Sequence, residues 1–354
     1  MGHTLFGLIG IAPIEARSGR RFEVPLEPTT EPEMTRIFVT GGSGFIGTNL
    51  VQCLLDSGCK VLNFDHKAPL NRDHATYHQA GDILDSEALG SILQSFQPEL
   101  VVHLASRCDL DGSSLADYTA NTTGVRNIIS AIRRAGSVKR AIFASSRYVH
   151  PTANQPRGDT EYAPFTFYGA SKAEGEKIVR ASSMEIPWVL IRPTSIWGPW
   201  FGIPYRRFFD FVRKGLYVHP RGEQLYKTYG YVGNVVHQIK QFLFVPAERV
   251  HGHVFYVADY QPIEIRKMAE SIREAFQAPT VRELPITILR TLARAGDGVR
   301  KLGWKNPPLT SFRLSNLRTQ MVYDMSATQA IAGPCPYTME EGVQATVDWI
   351  NQHG

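Results

Sequence analysis

The stretch RIFVTGGSGFIG at positions 36–47 constrains the fold of this chain more than any other feature. Its apolar, β-branched beginning predicts a buried parallel strand, and the spacing of apolar residues after the glycines predicts a helix. A strand, a glycine-rich turn and a helix in this order are typical of a dinucleotide-binding unit. In such a unit Gly41 permits the tight turn, Gly44 lets the backbone approach a pyrophosphate, and Gly47 lets helix and strand pack closely. The free N–H groups at the start of the helix would bind the phosphates.

Two acids that follow the next strand candidates extend this interpretation. Asp65 ends the segment KVLNFD, 18 residues after Gly47, where the carboxylate that binds the adenosine ribose is expected. Asp82 ends the following short segment and is a candidate for contact with the adenine edge. A plain tight turn without a ligand is the alternative. We predict an NAD site, while His66 and Lys67 beside Asp65 would also suit the 2′-phosphate of NADP.

Length and composition are those of a globular protein with a full core. Of the 354 residues 43% are hydrophobic and 20% charged, and 38 basic and 33 acidic side chains give a formal net charge of +5. This mild excess suits anionic small ligands. No basic run with interleaved aromatics indicates a nucleic-acid partner, and no Cys/His spacing indicates a metal. The four cysteines show no framework spacing and predict reduced thiols in a cytoplasmic protein.

Residues 1–33 differ in composition from the rest of the chain. The segment 5–14 is apolar but only about ten residues long, too short to span a bilayer. It also lacks the basic region and the cleavage pattern of a secretory signal. Positions 15–33 are rich in Arg, Glu, Pro and Thr. We predict a flexible N-terminal extension, with an interaction segment as the alternative.

Strand and helix patterns alternate from position 36 to about 195. The strand candidates are 36–40, 60–64, 99–105, 139–145 and 187–192, and the helical patterns are 45–57, 86–95, 115–135 and 168–183. This alternation predicts an α/β fold with a doubly wound parallel Rossmann sheet, which binds ligands at the carboxyl ends of its strands. We expect a cofactor domain at 34–195, to which 228–259 returns. A smaller, partly interleaved C-terminal substrate lobe would comprise 196–227 and 260–354.

One segment of that lobe, 285–302, is both amphipathic and basic. Its cations are Arg290, Arg294, Arg300 and Lys301. Contact with a membrane surface is one interpretation. The other is a helix that packs its apolar residues inward and leaves its arginines in solvent, and we expect the second.

The chemistry-bearing residues lie near position 170. Tyr168 and Lys172 are four positions apart, on one face of a predicted helix. A free tyrosine has a pKa of about 10 and is a poor base at neutral pH, but a neighbouring ammonium stabilises the phenolate and lowers that pKa. Ser145 and Ser146 end a predicted buried strand at the same edge of the sheet. Behind the glycine loop, this combination predicts acid/base chemistry on a hydroxyl group; a solvated helix face is the alternative.

With these motifs the sequence resembles the extended short-chain dehydrogenase/reductase family, in its NAD-dependent nucleotide-sugar epimerase/dehydratase branch. The resemblance covers the chain from about Met34 to the C-terminus. Besides the glycine loop and the two acids, it rests on VHLA at 102–105, NTTG at 121–124, Ser145-Ser146, YGASK at 168–172, Arg192-Pro193, TMEEG at 338–342 and Trp349.

The resemblance implies a role for each motif. Tyr168 would be the general acid/base, Lys172 would hold the nicotinamide ribose and tune Tyr168, and Ser146 would bind the reacting sugar oxygen. The implied cofactor is NAD. Its implied contacts are Gly41, Gly44, Phe45, Ile46, Gly47, Asp65, Asp82, Ile83, Leu104, Ala105, Ser106, Asn121, Tyr168, Lys172 and Pro193.

The sequence departs from the family pattern after the serine pair. Dehydratases of the family place an acid pair where Arg147 and Tyr148 stand here. The family usually continues Val-Tyr-Gly, whereas Val149 is followed by His150-Pro151. The missing acids disfavour elimination of water and favour simple redox or epimerisation chemistry.

Candidate substrate contacts are Ser146 and three cations. Arg107 directly follows a strand end, and Arg206 lies in the loop region that begins the lobe. Lys227 stands where epimerases often carry an arginine for the nucleotide diphosphate. A lysine there can hold phosphate without bidentate geometry. Each cation could equally be an ordinary surface charge.

These features together predict an NAD-dependent nucleotide-sugar epimerase that works through a keto-sugar intermediate. The predicted partners are a nucleotide-diphosphate sugar and a second copy of the chain, packed through helices 115–135 and 168–183; no transmembrane segment is expected. The alternative is an NAD(P)-dependent reductase or dehydrogenase of a nucleotide sugar or sterol-like alcohol. A non-catalytic NAD-binding sensor or scaffold is a third interpretation, against which the intact Ser146, Tyr168 and Lys172 set argues.

Overall fold

The computed structural model describes residues 34–151, 158–304 and 307–353. The extension predicted for residues 1–33 lies outside the described residues. The strands are β1 Arg36–Thr40, β2 Lys60–Asp65, β3 His78–Ala80, β4 Leu100–His103, β5 Arg140–Ala144, β6 Trp188–Pro193, β7 Ser195–Trp197, β8 Val218–Pro220, β9 Tyr226–Lys227, β10 Tyr229–Tyr231, β11 Val254–Val257, β12 Ile263–Glu264 and β13 Arg282–Leu284. The helices are α1 Phe45–Asp56, α2 Ser86–Phe96, α3 Thr123–Ala135, α4 Phe167–Ala181, α5 Arg206–Arg213, α6 Val232–Phe244, α7 Ile265–Phe276, α8 Ile286–Lys301, α9 Ser311–Arg318, α10 Ser326–Ala332 and α11 Met339–His353. Short 3₁₀ segments lie at Arg72–Tyr77, Leu115–Asn121, Arg147–Val149 and Ala247–Arg249.

Seven strands form one parallel sheet in the order β11-β6-β5-β4-β1-β2-β3. On one side of β1, Val39 lies opposite Asn63 of β2, and on the other side it lies opposite Val102 of β4. The strand order therefore reverses at β1, and the connections that leave β1 and β4 open a crevice at the carboxyl ends of the strands. This sheet confirms the doubly wound α/β fold.

The side chains of the central strand pack on both faces of the sheet. Ile37 and Val39 belong to a cluster with residues of α1 and α6, whereas Phe38 belongs to a cluster with residues of α2 and α3. All three side chains are fully buried. Burial on both faces is the physical reason for the unbroken apolar run in the sequence.

The later part of the chain adds small elements to this framework. Three two-stranded sheets join β7 with β10, β8 with β13, and β9 with β12. The apolar face of α11, with Val343, Val347 and Ile350, belongs to the same hydrophobic cluster as Ile37 and Leu50 of the cofactor-binding part. Where the functional boundary between cofactor domain and substrate lobe falls stays a prediction.

The single helix predicted at 115–135 is wrong. A 3₁₀ segment ends at Asn121, and α3 begins at Thr123, because Thr122 has the non-helical angles φ −123° and ψ −65°. Tyr118 also leaves the helical region, with φ −116° and ψ 36°. The side chain of Asn121 bonds groups outside the segment, which competes with regular helix formation. Predicted strands otherwise differ from observed ones by one or two residues at their ends.

Neither a membrane-spanning helix nor a cluster of metal-ligand side chains occurs among the described residues. No helix in the described ranges is long and apolar enough to cross a membrane. No group of three or more His, Cys, Asp or Glu side chains within those ranges is arranged to hold a metal ion.

Candidate active site

The first turn of α4 brings Tyr168 to Ser146. The Thr166 hydroxyl caps the helix by accepting a hydrogen bond from Gly169 N at 3.0 Å. A side chain at Gly169 would place its Cβ 2.2 Å from the carbonyl oxygen of Tyr148, so this glycine allows the helix start to pack on the segment after the serine strand. In that position the Tyr168 phenol is hydrogen-bonded to Ser146. The serine hydroxyl also accepts from Tyr148 N at 3.2 Å.

Burial decides the protonation of Tyr168. It raises the pKa of the phenol well above its ordinary value, the charge of Cys108 acts in the same direction, and the hydrogen bond to Ser146 opposes both. The sequence argument expects a lowered pKa, from the ammonium of Lys172. Here desolvation outweighs every lowering influence, because a phenolate loses more hydration than a phenol does. Tyr168 is therefore held as a neutral phenol.

Lys172 lies one helical turn beyond Tyr168 and is buried. Its Nζ donates to the carbonyl oxygen of Ala144 at 3.0 Å, at the end of β5. Burial lowers the pKa of Lys172, and the charges of Cys108 and Glu176 act in the opposite direction. The predicted trio of Ser146, Tyr168 and Lys172 thus meets at the carboxyl edge of the sheet.

Asn121 connects this trio to the loop after β4. Its Oδ1 accepts from Arg107 N at 2.8 Å, and its Nδ2 donates to the Arg107 carbonyl at 3.0 Å and to Ser171 Oγ at 2.8 Å. The side chain is almost fully buried. In this structure Asn121 acts as a clamp between the loop and α4, and its contact with the cofactor stays a prediction.

The glycine loop has the geometry that the sequence indicates. Gly41 has a φ of +74°, and a Cβ there would lie 2.5 Å from Ala105 N. At Gly47 a Cβ would lie 2.1 Å from the carbonyl oxygen of Gly41, so helix and loop touch. Gly44 is the N-cap of α1 and provides no side-chain cap, which leaves the N–H groups of Phe45 and Ile46 at the helix start uncapped by any side chain of the described residues.

Asp65 lies beside this loop, at the end of β2. Its Oδ2 accepts from Ser43 N at 3.2 Å and its Oδ1 from Lys67 N at 2.9 Å. His66 Nδ1 is 3.4 Å from the same Oδ1. A carboxylate next to an uncapped helix N-terminus is the arrangement that a dinucleotide needs, with the ribose on the acid and the pyrophosphate on the helix. The residues present therefore fit NAD.

The remaining predicted cofactor contacts lie along the same edge. Leu104, Ala105 and Ser106 follow β4, where the Thr40 hydroxyl bonds Ala105 N at 3.3 Å and His103 Nδ1 at 2.7 Å. Burial lowers the pKa of His103 to about 3, helped by the charge of Lys172, so this histidine is a neutral residue of the core. Beyond β3, Asp82 is exposed and Ile83 is buried, and Pro193 ends β6.

Each of the three predicted substrate cations is already engaged within the chain. Arg107 Nε bonds Asp109 at 2.8 Å, and Arg206 Nε lies 3.7 Å from Asp210. Lys227 is buried, its Nζ donates to the carbonyl oxygens of Asn316 and Thr319, and burial lowers its pKa to about 8, together with the charge of Arg147. Their role at a substrate diphosphate stays a prediction.

Aromatic side chains instead pack around the ring of Tyr168. The ring centroids of Tyr118 and Tyr148 lie 6.2 and 5.8 Å from that of Tyr168. Phe165 stacks on Tyr148 at 5.4 Å and is itself largely exposed. Tyr205 is close enough for its charge to influence Tyr168. The entrance to the site is therefore mainly aromatic, a feature that the sequence alone does not reveal because the four rings come from separate segments.

A buried ion pair below Lys172 was also not predicted from the sequence. Arg192 on β6 bonds Glu176 on α4 through two contacts, Nε to Oε1 and Nη2 to Oε2, both 2.8 Å, and neither side chain is exposed. Ser145 Oγ and Tyr162 OH donate to the same carboxylate. Burial alone would lower the pKa of Arg192, but Glu176 raises it, so the guanidinium stays charged. Spacing offers one signal: Glu176 lies four residues after Lys172.

Comparison with known proteins identifies the class to which this fold and site belong. Residues 37–258 match the NAD dependent epimerase/dehydratase family. The match spans more than half of the chain, so the protein belongs to that family and is an NAD-dependent enzyme of the extended short-chain dehydrogenase/reductase type.

Relatives within the family act on different substrates. A 3 beta-hydroxysteroid dehydrogenase/Delta 5-->4-isomerase of Mycobacterium tuberculosis is 30% identical over 264 residues, 69% of this chain and 70% of the relative. An N-acetyl-alpha-D-glucosaminyl-diphospho-ditrans,octacis-undecaprenol 4-epimerase of Escherichia coli O157:H7 is 25% identical over 324 residues, 90% of this chain and 96% of the relative. Among solved structures, the UDP-glucose 4-epimerase of Thermus thermophilus in complex with NAD has a TM-score of 0.67 and 24% identity, and covers 90% of this chain and 99% of that one.

Proposed function

We propose that this chain is an NAD-dependent nucleotide-sugar epimerase that acts by transient hydride transfer through a keto-sugar intermediate. The observation that carries the proposal is the hydrogen-bonded pair of Ser146 and Tyr168 above Lys172, at the same sheet edge as the glycine loop and Asp65. This edge can hold a dinucleotide at one end and a secondary alcohol at the other.

The residues of the chain manage the proton of that alcohol. Bound NAD supplies a hydride acceptor in the first half of the cycle and a hydride donor in the second. Ser146 orients the substrate oxygen. Tyr168, neutral in this structure, must first release its own proton, and as phenolate it then takes the hydroxyl proton when the alcohol becomes a ketone. The neutral phenol then returns the proton to the oxygen when hydride comes back to the other face of the ketone. Lys172 favours the phenolate by its positive charge.

The segment after Ser146 supports epimerisation over dehydration. Elimination of water needs a second acid/base next to the carbon that loses its proton. Arg147 and Tyr148 stand there, and the Arg147 guanidinium lies 4.4 Å over the Tyr148 ring. A guanidinium and a phenol provide no carboxylate for that step.

A dehydrogenase or reductase of a sterol-like alcohol is the second candidate. Two observations favour it: the aromatic entrance around Tyr168 and the engagement of Arg107, Arg206 and Lys227 with partners inside the chain. The steroid dehydrogenase activity of a relative points the same way.

One assay separates the two candidates. The purified chain is incubated with UDP-glucose or UDP-N-acetylglucosamine, and in parallel with a 3β-hydroxysterol plus NAD, while absorbance at 340 nm is followed and products are separated by chromatography. An epimer that forms without net absorbance change supports the first candidate. Stoichiometric NADH formation with the sterol, and no sugar turnover, would establish the second.

The predicted homodimer and cytoplasmic location belong to this proposal. A groove of about 430 Å³ lies between α3 and α4 and is lined by Ile129 and Ile178, with Arg133 and Glu174 of opposite charge. A second copy related by a two-fold axis could place each arginine against the partner's acid. All four cysteines are free thiols, as a reducing compartment requires. Light scattering tests the dimer, and Ile178→Glu should give a monomer.

A further inference from the structure

Helix α8 packs only one of its faces against the rest of the molecule. Leu289, Ala293 and Gly296 are buried, and the first two pack with Leu314 of the neighbouring helix α9. This inward face confirms the packing expected for 285–302. The outward face, however, is not the row of solvated polar side chains that such packing usually leaves.

A second apolar stripe runs along the outside of α8. Ile288, Leu292, Val299 and Leu302 are spaced at i, i+4, i+11 and i+14, which places them on one side of a helix. Trp304 follows the helix end in the chain, and Phe312 lies on the neighbouring helix α9. The large side chains of this set, Val299 apart, are open to solvent, from 46% for Ile288 to 87% for Leu302. Several large exposed apolar side chains in one region indicate an interaction site.

Cations lie on the other flank of the outward face, because Arg290, Arg294 and Lys301 each follow a stripe residue by two positions, about 200° around the helix. Residues 285–304 contain Arg290, Arg294, Arg300 and Lys301 against a single acid, Asp297. The Asp297 carboxylate already accepts a hydrogen bond from Ser311 N at 3.2 Å. Elsewhere on the surface arginines such as Arg266 are ion-paired.

The four cations of α8 differ from those paired arginines. None of them has an ion pair or a side-chain hydrogen bond to a residue in the described ranges. Their charge is therefore available to an external anion, and their long aliphatic stems let the charged ends reach towards a surface that contacts the outward face.

The C-terminal end of α8 lies within electrostatic range of α5, through Arg313 of α9. Helix α5 begins directly after Tyr205, which lies near Tyr168. Burial lowers the pKa of Arg313 on α9, and the charges of Arg207 on α5 and Arg300 on α8 lower it further, so the three helices bring their guanidinium groups together. Ile203, just before α5, is 67% exposed.

We propose that the outward face of α8, with Trp304 and Phe312, docks on an anionic lipid surface. The apolar stripe would enter the boundary between headgroups and acyl chains, and the arginines would contact lipid phosphates. A tryptophan at the edge of such a stripe suits that boundary, since one end of its ring is apolar and the other donates a hydrogen bond.

Vesicle sedimentation of the full chain tests this proposal. We expect binding to vesicles of phosphatidylcholine with one third phosphatidylglycerol, little binding to pure phosphatidylcholine, and a loss of binding in high salt because surface charges are screened. The test variant replaces three exposed residues of the stripe by serine: Ile288→Ser, Leu292→Ser and Leu302→Ser. A matched control replaces three comparably exposed residues on other faces: Leu70→Ser, Phe244→Ser and Val322→Ser.

The stripe variant should bind anionic vesicles at least about tenfold more weakly, while the control binds like the parent. Loss of the cations in Arg290→Gln, Arg294→Gln and Lys301→Gln should have a similar effect, whereas the same loss of charge in Lys60→Gln, Arg72→Gln and Lys240→Gln should not. Circular dichroism and thermal melting confirm that each variant is folded; these substitutions lie on the surface, so the fold should persist.

Four outcomes would overturn the proposal. The first is a full chain that does not sediment with anionic vesicles, and the second is equal binding by the stripe and control variants. The third is a loss of binding on serine substitution in the apolar segment 5–14 while the stripe variant retains it, which would assign the anchor to the N-terminal extension. The fourth is a stripe variant whose oligomeric state changes in light scattering while its vesicle binding does not, in which case a second copy covers this face. None of these measurements depends on which substrate the enzyme turns over.

Discussion

Tyr168 is buried, neutral and hydrogen-bonded to Ser146, so it can donate a proton to a substrate oxygen. Tyr168→Phe removes only the hydroxyl and should lower turnover at least about 10²-fold, the usual scale for loss of a general acid/base. NAD affinity and thermal stability should stay close to those of the parent, because the ring still fills its place. Steady-state kinetics and calorimetry check both. Tyr77→Phe, on the surface and away from the site, is the matched control; a Tyr168→Phe enzyme with near-normal rates would refute the assignment.

Asp65 should make the enzyme prefer NAD. Its carboxylate lies beside the glycine loop, where it can accept from the ribose hydroxyls and repel a 2′-phosphate. Calorimetric titration should show tighter binding of NAD than of NADP, and Asp65→Asn should narrow that difference. His66 and Lys67 are the nearby cations that a phosphate would use, so tighter binding of NADP by the parent would show that they dominate.

Cys108 offers a chemical probe of the same site. It is the exposed member of the four cysteines, whereas burial raises the pKa of Cys53, Cys59 and Cys335 and keeps them as thiols. Iodoacetamide should therefore modify Cys108 first and inactivate the enzyme, because the thiol is close enough to influence Tyr168 and Lys172 electrostatically. Peptide mass spectrometry gives the site of modification. Cys108→Ser should resist inactivation; equal inactivation of that variant would place the sensitive thiol elsewhere.

At the scale of elements, the ion pair between α4 and β6 links the catalytic helix to the sheet. Glu176→Gln leaves the guanidinium of Arg192 buried without a charge partner, and breaking such a pair by removing one partner costs about 3–5 kcal/mol. Glu174→Gln, on the exposed side of the same helix, should change the free energy of unfolding by less than about 0.5 kcal/mol. Chemical denaturation compares the two. Equal, small effects would show that the pair contributes little.

The elements themselves were largely predictable from the sequence. The apolar run before Gly41 predicts the bounds of β1 correctly because a strand buried on both faces must be apolar throughout. The break at Thr122 was not predictable, because it depends on bonds from Asn121 to Arg107 and Ser171, residues distant in sequence.

The partners of charged side chains were equally unpredictable from the sequence. From the sequence alone, Lys227 is a candidate ligand of a substrate diphosphate. In the structure its Nζ donates to the carbonyl oxygens of Asn316 and Thr319. Local patterns determine elements well, whereas the partner of a charge depends on the tertiary fold. The glycine loop and the Tyr168–Lys172 spacing are local, and for that reason their geometry was anticipated.

At the scale of the whole molecule, the first sheet strand begins at Arg36, and residues 34–354 form one compact unit by themselves. Deletion of residues 1–33 should therefore leave a folded chain that binds NAD with parental affinity. Thermal melting and calorimetry of the truncated protein test this. An insoluble product, or a melting temperature lower by many degrees, would show that the extension supports the fold.

The packing of α11 against the sheet limits how this enzyme could be re-engineered. Since Val343, Val347 and Ile350 complete the same apolar cluster that holds Ile37 and Leu50, the part that selects the substrate is not a detachable module. A chimaera that joins the C-terminal third of a relative to this chain would combine two halves of one hydrophobic core that do not fit each other. Changes of specificity are better sought in the aromatic rings around Tyr168, which can be exchanged one at a time without disturbing that interior.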